Sequence, residues 1–553
     1  MHADDGIGVE VREAARMVVP EDAAISPPAT RLDRILPWVV AGIAVSAAIL
    51  AVKLTLIRPY CTGDSASYLG AARNLAAGRG LTIPWGTPTD RPLVHFPPLY
   101  PAVLGAVGSL GPDPLVVSRW MNAVLLGLNA ALAALAVYGT TRNRALSCLA
   151  AVLMAASPVM LRMHTAALSE PLFVFLLLAA LAALHAYARR PSRRLFLLAC
   201  DATALALLCR WAGAPLVATG ALVVCAFGAG GLWKRLARAA AFGLLSCLPA
   251  GLWMLRNLRL GGTATNRTWA AHPVTRQQID DALRAVSGWG VPGFRPGTTL
   301  QHSLIPLGLL CLAAVCFALY LTLRRGNVPV GERLRHLPWA YAAFLVTYCA
   351  FLLVSVSYCD RLTPLDNRIL LPAYAAWLVG VLAVWPGAWM WEARRWAARR
   401  LPLLPWLAIA VMQVHAGARF AEFEHNRTRL SASSWNVRET RAAMSVPWDR
   451  PVYSNRPEDY YIYVNKVVKE WPSPLDVWSG RPAPGYKEKR DAAVRELTES
   501  GGRLVLLGTS MKPWLDRDQI PQDVPLVRLQ DEGKVHVYAV GTQPARRGWP
   551  WQR

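Results

Sequence analysis

From residue 35 onward the chain alternates long apolar stretches with short polar ones. Many apolar stretches run for roughly 17 to 23 residues, about the length that a helix needs to cross the hydrocarbon core of a bilayer. The pattern predicts an all-α polytopic membrane protein with eleven spans. The predicted spans are 35–57, 97–111 joined with 115–139 as one kinked pair, 145–161, 166–188, 195–209, 212–230, 238–256, 303–323, 337–357, 368–388 and 402–418.

The pattern changes at both ends of the chain. Residues 1–34 are mostly polar and predict a disordered cytoplasmic tail before a membrane domain over 35–420. Residues 421–553 change character and predict a small extracytoplasmic α/β domain. Its predicted strands lie in "RPVYSN" (450–455), "RLVLLG" (503–508) and "KVHVYAV" (534–540), and its predicted helix in "EKRDAAVRELTES" (488–500).

Charge placement orients the predicted spans. The chain carries 59 Lys and Arg against 35 Asp and Glu, a net charge of +24, which by itself could indicate nucleic-acid binding. The basic residues instead crowd every second loop, as the positive-inside rule requires of cytoplasmic loops. These loops are 142–144, 188–194, 233–238, 323–336 and 391–400. We therefore expect no nucleic-acid partner, and we expect a multi-pass inner-membrane protein with a cytoplasmic N-terminus.

Two long loops and the C-terminal segment then face the outside of the membrane. The loops cover residues 58–96 and 257–302. Eight of the ten cysteines fall in or at the ends of spans, where Cys acts as a small hydrophobe. Only Cys61 and Cys359 lie at the outer interface. An extracytoplasmic compartment permits oxidation, so the sequence leaves open both a disulfide and two separate thiols. Abundant Ala, Arg and Trp are typical of a GC-rich bacterial genome.

Charged groups at the outer ends of the spans are the candidate functional residues, because such groups are costly at a membrane unless they have a task. Two carboxylates and three arginines stand out, in "GDSASYLGAARNLAAGRG" (63–80), "LSEPLF" (168–173), "LLCRWAGAP" (207–215), "WMLRN" (253–257) and "DNRILLPAY" (366–374). The candidate catalytic residues are Asp64 and Glu170, and the candidate phosphate-binding residues are Arg368, Arg210 and Arg256. The candidate substrate-binding residues are Tyr68, His95, His164 and Asp366.

These motifs, with "HFPPLYPAVLGAVG" (95–108), resemble those of polytopic glycosyltransferases with the GT-C fold. The protein O-mannosyltransferases and the lipid A aminoarabinose transferases are the most similar groups. The resemblance covers about residues 35 to 390. It implies that the donor is a sugar on a polyprenyl phosphate and that the acid of the first outer loop, here Asp64, is the catalytic base.

The chemistry of such a donor agrees with one base and several arginines. A phosphate leaving group needs no proton, so a second carboxyl acid is not required. Arginine binds phosphate oxygens in bidentate fashion, and Arg368 is the first candidate, before Arg210 and Arg256. Many relatives carry a second acid after the first, but here Ser65 follows Asp64. We therefore expect no required cofactor and no metal in this loop, while the sequence leaves a divalent metal elsewhere open.

Five of these candidates also have a purely structural interpretation. Asp64 could be only the N-cap of its helix, and Glu170 could only favour a helix N-terminus before Pro171. His95 and His164 could be interfacial hydrogen-bonding groups, and Arg368 could anchor a span by snorkelling.

Two functions from different classes remain open. The first is an inverting glycosyltransferase that acts on a lipid, glycan or protein acceptor. The second is a transporter or flippase of lipid-linked sugars, which would also need a phosphate-binding arginine. Transporters commonly show internal repeats and polar residues at the middle of the membrane. The sequence shows no clear repeat, and its charges crowd one face, which favours the enzyme.

Overall fold

The structure is a computed structural model, and it describes residues 31–56, 59–85, 90–267, 269–292, 335–360, 363–385, 403–430, 444–464, 466–474, 482–507, 524, 526–532 and 535–541. Helices dominate the part of the chain before residue 431. In chain order they are α1 (Arg31–Leu54), α2 (Gly63–Ala76), α3 (Leu99–Gly108), α4 (Pro114–Thr141), α5 (Arg144–Ala156), α6 (Pro158–His164), α7 (Glu170–Arg189), α8 (Arg193–Cys209), α9 (Ala214–Phe227), α10 (Leu232–Gly261), α11 (Arg276–Gly290), α12 (Trp339–Tyr358), α13 (Leu371–Val384) and α14 (Leu404–Leu430).

Every predicted span that the structure describes contains a helix. The predicted span 303–323 lies outside the described residues. Within the described part, α1, α4, α7, α10 and α12 are long and apolar enough to cross a membrane. The consecutive helices α5 and α6, bent by 53° at their break, would together make a sixth. The protein is thus a multi-pass membrane protein, and the number of eleven spans stays a prediction.

Small residues let the first span pack closely against α4. A Cβ atom on Gly127 of α4 would lie 2.5 Å from the backbone oxygen of Ala44 in α1, which is closer than real Cβ contacts. Helices in membranes commonly approach at such small residues, because lipid supplies no hydrophobic force to drive them together. The α1–α4 interface therefore depends on the missing side chain of Gly127.

We expect Gly127→Ala to destabilise the protein by about 1 to 3 kcal/mol, because the added methyl group must push α1 away from α4. Gly139→Ala in the same helix is the matched control, since no atom lies within 4 Å of its new Cβ position. Thermal unfolding of both variants in detergent measures the difference. Equal melting temperatures for the two variants would show that this interface adapts without cost.

The loop after α1, which the sequence predicts to face the outside of the membrane and which we call the first outer loop, is hydrogen-bonded to the start of α7. After α1 the chain pairs Tyr60 with Ala166 as a parallel bridge. The Tyr60 amide donates to the Thr165 carbonyl at 3.0 Å, and the Ala167 amide donates to the Tyr60 carbonyl at 2.8 Å. The loop then forms α2 and a short antiparallel ribbon of β1 (Thr82–Ile83) and β2 (Arg91–Pro92). This pairing brings the first turn of α2 next to the first turn of α7.

The C-terminal segment, residues 444–541, contains a five-stranded sheet and two helices. Its elements are β3 (Val452–Ser454), α15 (Pro457–Val464), β4 (Lys469–Glu470), α16 (Tyr486–Ser500), β5 (Arg503–Leu507), β6 (Leu526–Glu532) and β7 (Val535–Val540). The strand order is β4-β3-β5-β7-β6, with β3 parallel to β4 and β5 and the other pairs antiparallel. Apolar side chains of β5 and β7 are buried on both faces of this sheet. Helix α15 packs against α2 of the first outer loop.

The two outer cysteines are separate thiols in the structure. Cys61 is buried before α2, and Cys359 is half-buried at the end of α12. The other described cysteines are also free. Of the two alternatives that the sequence leaves open, the structure therefore shows the unbridged one.

Candidate functional site

Four charged side chains from distant parts of the sequence meet at the ends of their helices. We call Asp64, Glu170, Arg210 and Arg368 the charged cluster. The Arg368 guanidinium donates through Nε to Glu170 Oε1 and through Nη2 to Asp64 Oδ2. Arg210 Nη1 lies 2.8 Å from the same Glu170 oxygen. Two of the predicted arginines and both predicted carboxylates thus form one ion-pair network with no net charge.

The two carboxylates differ in how far they are exposed to solvent. The Glu170 side chain is 3% exposed and holds both arginines, whereas the Asp64 side chain is 31% exposed and holds only Arg368. A buried carboxylate is costly unless it is paired, and Glu170 satisfies that requirement with two cations. Asp64 is therefore the carboxylate that an incoming molecule can reach, and Glu170 is the group that fixes the arginines.

The local sequence explains why three of these residues stand at helix ends. Glu170 is the first residue of α7, where Pro171 fits because its missing N–H would have no helical partner. Arg210 has extended backbone between α8 and the short 3₁₀ turn that starts α9. Arg368 stands three residues before α13, and each of the three is therefore at a helix end.

Asp366 holds the backbone of Arg368. Its Oδ1 accepts hydrogen bonds from the amides of Arg368 at 2.9 Å and Ile369 at 3.2 Å. The Tyr348 hydroxyl donates to the Ile369 carbonyl at 2.6 Å. The sequence predicts Asp366 as a substrate-binding residue, but the structure places its carboxylate on the turn that aims Arg368 at the carboxylates.

Asp64 is not the N-cap of α2, so the structural interpretation of this residue is wrong. The N-cap is Thr62, which forms a capping box with Ser65: the Ser65 amide donates to Thr62 Oγ1 at 3.4 Å, and the Thr62 amide donates to Ser65 Oγ at 2.9 Å. The Asp64 carboxylate is therefore available to Arg368. Burial acts to raise the pKa of Asp64, but the charge and hydrogen bond of Arg368, together with the charge of Arg210, lower the pKa below its usual value.

Tyr68 is connected to the charged cluster by hydrogen bonds through the Ser169 hydroxyl. Arg210 Nη1 donates to Ser169 Oγ at 2.9 Å, and the Ser169 hydroxyl donates to the Tyr68 oxygen at 3.2 Å. Tyr68 is buried one turn after Asp64 and packs on Tyr100 with ring centroids 5.1 Å apart. The structure brings Tyr68 to the site as predicted from sequence, while Ser169 is a site residue that sequence reasoning missed, since a lone serine before an acid gives no signal.

His95 lies near Asp64, at the edge of the site. Burial, followed by the charge of Arg267, lowers the pKa of His95 to about 4, so the ring is neutral at pH 7. Arg267 is a second residue that the sequence did not indicate. Its Nε lies 3.4 Å from Asp360 Oδ1, between the second outer loop and the end of α12. Arg267 is therefore a cation near His95 that is paired with Asp360 and that no sequence motif indicated.

His164 and Arg256 make contacts outside the charged cluster. The ring nitrogens of His164 lie 3.0 Å from Asn129 Nδ2 and 2.7 Å from the Met160 carbonyl, which fits the structural interpretation of this buried histidine. Arg256 Nη1 donates to the Leu93 carbonyl at 2.9 Å, and its guanidinium lies over the Trp253 ring at 4.4 Å. These contacts bind the outer loop to α10, and they include no carboxylate of the cluster.

The chemistry that the cluster can perform follows from its groups. Two guanidinium groups can bind an anion in bidentate fashion, and phosphate is the anion that this geometry suits best. One accessible carboxylate beside them can accept a proton. The described residues contain no group of three or more His, Cys, Asp or Glu that could hold a metal ion.

One protein-family model matches part of the chain. Residues 92–242 match the sequence model of the family described as dolichyl-phosphate-mannose-protein mannosyltransferase. No curated protein sequence matches the chain significantly.

Solved structures show the same fold at low identity. The structure of ArnT from Cupriavidus metallidurans in the apo state is similar over 92% of this chain and 99% of that chain, with a TM-score of 0.57 and 14% identity. ArnT from the same organism bound to undecaprenyl phosphate is similar over 93% and 99%, with a TM-score of 0.51 and 14% identity. The partial match to the mannosyltransferase family and the shared fold together support a polytopic membrane glycosyltransferase of the GT-C superfamily.

Proposed function

We propose that this protein transfers a sugar from a polyprenyl-phosphate donor to a hydroxyl group outside the cytoplasm, with inversion at the anomeric carbon. The observation that carries the proposal is the position of Arg368 between an accessible carboxylate, Asp64, and a buried one, Glu170. ArnT, which has the same fold, has been solved with undecaprenyl phosphate, and this supports a polyprenyl phosphate as the lipid carrier here. No metal or other cofactor is part of the proposal.

The donor phosphate binds to Arg368 and Arg210. In the structure these guanidinium groups are held by carboxylates, so the site is neutral before the donor arrives. A phosphate that competes for Arg368 releases Asp64 from its ion pair. The pKa of Asp64 then rises, because Arg368 is the main group that lowers it. Donor binding thus converts Asp64 from a partner of Arg368 into a better base.

The transfer is a single displacement. Asp64 takes the proton of the acceptor hydroxyl while the acceptor oxygen forms a bond to the anomeric carbon. The bond from that carbon to the phosphate oxygen breaks on the opposite side, and the polyprenyl phosphate leaves with the electron pair. The two arginines stabilise the negative charge that develops on the phosphate. Glu170 is buried and paired with both arginines, so it remains a holder of cations and does not act as a nucleophile.

The transporter alternative has less support from the geometry. All four members of the charged cluster lie within two residues of a helix end or in the turn before one, at one end of the bundle. A pathway through the membrane would need polar groups along its length. We also propose that the C-terminal segment lies outside the cytoplasm, as a domain on the acceptor side of the site.

The proposal is tested with purified protein in lipid nanodiscs, which enclose no compartment. We expect release of free polyprenyl phosphate from a polyprenyl-phosphate sugar when an envelope fraction from a strain that lacks the gene is added as acceptor. A panel of donor sugars identifies the preferred one. If the protein binds every donor but turns over none of them, the enzyme hypothesis is overturned and the transporter hypothesis remains.

A further inference from the structure

Helix α15 of the C-terminal segment is fixed against the helix that carries Asp64. Its Tyr461 ring packs on Trp85 with centroids 5.0 Å apart, and the Arg73 guanidinium of α2 lies 5.3 Å from the centre of the same ring. Tyr461 and Ile462 are buried in the same apolar core as the membrane helices. The first turn of α15 therefore has a defined position relative to the first turn of α2.

Glu458, in that first turn of α15, lies against the backbone that carries Asp64. A Cβ atom on Gly63 would lie 3.6 Å from Glu458 Cγ and 3.9 Å from Glu458 Oε1. Gly63 is the residue immediately before Asp64. The Glu458 side chain of the C-terminal segment therefore lies in van der Waals range of the first turn of α2.

The Glu458 carboxyl is weakly paired and accessible. Its cation is Arg456, whose Nε lies 4.0 Å from Glu458 Oε1 but only 3.1 Å from an oxygen of Asp459. The Glu458 side chain is 30% exposed. Across the interface, Glu470 is paired with Arg91 of the outer loop at 3.5 Å. Of the two acids of α15, Glu458 is the more exposed and the more weakly paired.

We propose that Glu458 is an acceptor-binding residue, which accepts a hydrogen bond from an acceptor hydroxyl next to the one that Asp64 deprotonates. This inference rests on the proposed glycosyltransferase function and goes beyond it by giving the C-terminal segment a role in acceptor choice. The acceptor that it fits is a compound with neighbouring hydroxyl groups, such as a glycan, because two carboxylates on adjoining turns then address two hydroxyls.

A purely structural role makes a different prediction. A carboxylate near the N-terminus of α2 also interacts favourably with the helix macrodipole, which would affect stability alone. Acceptor binding instead predicts that Glu458 alters the acceptor concentration needed for half-maximal rate and leaves the donor concentration unchanged. The two roles are therefore separable by kinetics.

The charge state of Glu458 supplies a second readout. Burial, with the neighbouring charge of Asp459, raises the pKa of Glu458 to about 7, against the opposing charge of Arg456, and Glu470 adds to the rise. The ionised carboxylate is the stronger hydrogen-bond acceptor. We therefore expect the half-saturating acceptor concentration of the wild type to rise as the pH falls through about 7.

The test compares the wild type with Glu458→Gln in the nanodisc assay, with the donor saturating and the envelope fraction varied. We expect the half-saturating amount of acceptor to rise about tenfold, because a charged hydrogen bond is lost, while the donor half-saturation stays the same and the pH dependence near 7 disappears. Glu499→Gln, an exposed acid of α16, is the matched control and should behave as wild type.

The outcomes separate this inference from the function on which it rests. A wild type without turnover overturns the proposed function, and with it the role of Glu458. An active wild type with an unchanged acceptor dependence in Glu458→Gln overturns the acceptor-binding role alone, and a shift only in melting temperature assigns Glu458 to stability. Glu458→Asp, which keeps the charge but withdraws it by one methylene, should give an intermediate acceptor dependence and covers the case of a Gln variant that does not fold.

Discussion

Asp64→Asn is expected to reduce sugar transfer by about 10² to 10⁴-fold, the range typical of the loss of a general base. The amide has the shape of the carboxyl but does not take a proton at neutral pH. The fold should not suffer, because Thr62 and not Asp64 caps α2, and because Arg368 keeps Glu170 as its partner. The measurement is the rate of polyprenyl-phosphate release at saturating donor, with thermal unfolding of the same preparation.

Two comparisons make this result specific. Asp449→Asn removes a well-exposed carboxylate of the C-terminal segment and should leave the rate unchanged. Glu170→Gln should instead lower the melting temperature and the donor affinity, because both arginines lose their common buried acceptor. A rate for Asp64→Asn within a few-fold of the wild type would eliminate Asp64 as the base.

Arg368→Ala is expected to weaken binding of undecaprenyl phosphate by about 10- to 100-fold, because the phosphate loses charge-assisted hydrogen bonds of about 1.5 to 3 kcal/mol. The protein should also become less stable. Glu170 keeps Arg210 at 2.8 Å, but Asp64 loses the partner that lowers its pKa. The measurement is equilibrium binding of undecaprenyl phosphate to the variant in nanodiscs.

Substitutions of two other arginines serve as controls for Arg368→Ala. Arg162 is exposed after the start of α6, so Arg162→Ala should bind undecaprenyl phosphate as the wild type does. Arg256→Ala should lower the melting temperature with little loss of affinity, because Arg256 holds the Leu93 carbonyl and not the cluster. A normal affinity in Arg368→Ala would reassign Arg368 to anchoring its span.

In the proposed reaction, the two arginines and two carboxylates connect donor binding with catalysis. A site that is neutral when empty avoids the cost of isolated buried charges, and the arriving phosphate replaces a carboxylate at Arg368 without leaving that cation unpaired. The same exchange would make Asp64 basic only once the donor is present. In this arrangement Asp64 is ionised but only weakly basic while Arg368 holds it, and it becomes a stronger base when the donor phosphate takes Arg368.

Several features of this protein follow from the sequence by itself. The length and polarity of the apolar stretches locate the described helices that lie in the predicted spans, because the bilayer imposes both requirements on each segment separately. They do not locate α11, which lies in the predicted loop 257–302. Charges at the outer helix ends indicate Asp64, Glu170, Arg210 and Arg368, since a charge in that position is costly for every fold. The pattern of apolar residues likewise locates the strands β3, β5 and β7 and the helix α16 in the C-terminal segment. The short strand β4 and the helix α15 contain too few residues for a periodicity to be recognised.

The partners of those residues were decided by the tertiary structure. Arg368 meets carboxylates 198 and 304 positions away, and the contact exists because the bridge between Tyr60 and Ala166 joins the first outer loop to the start of α7. The spacing of residues along the chain does not predict this contact, because periodicity indicates only which face of a helix or strand is apolar. The same is true of Glu458, which reaches Gly63 only because Tyr461 docks its helix on α2. Local pattern thus determined which groups are present at the outer end, and long-range packing determined which of them act together.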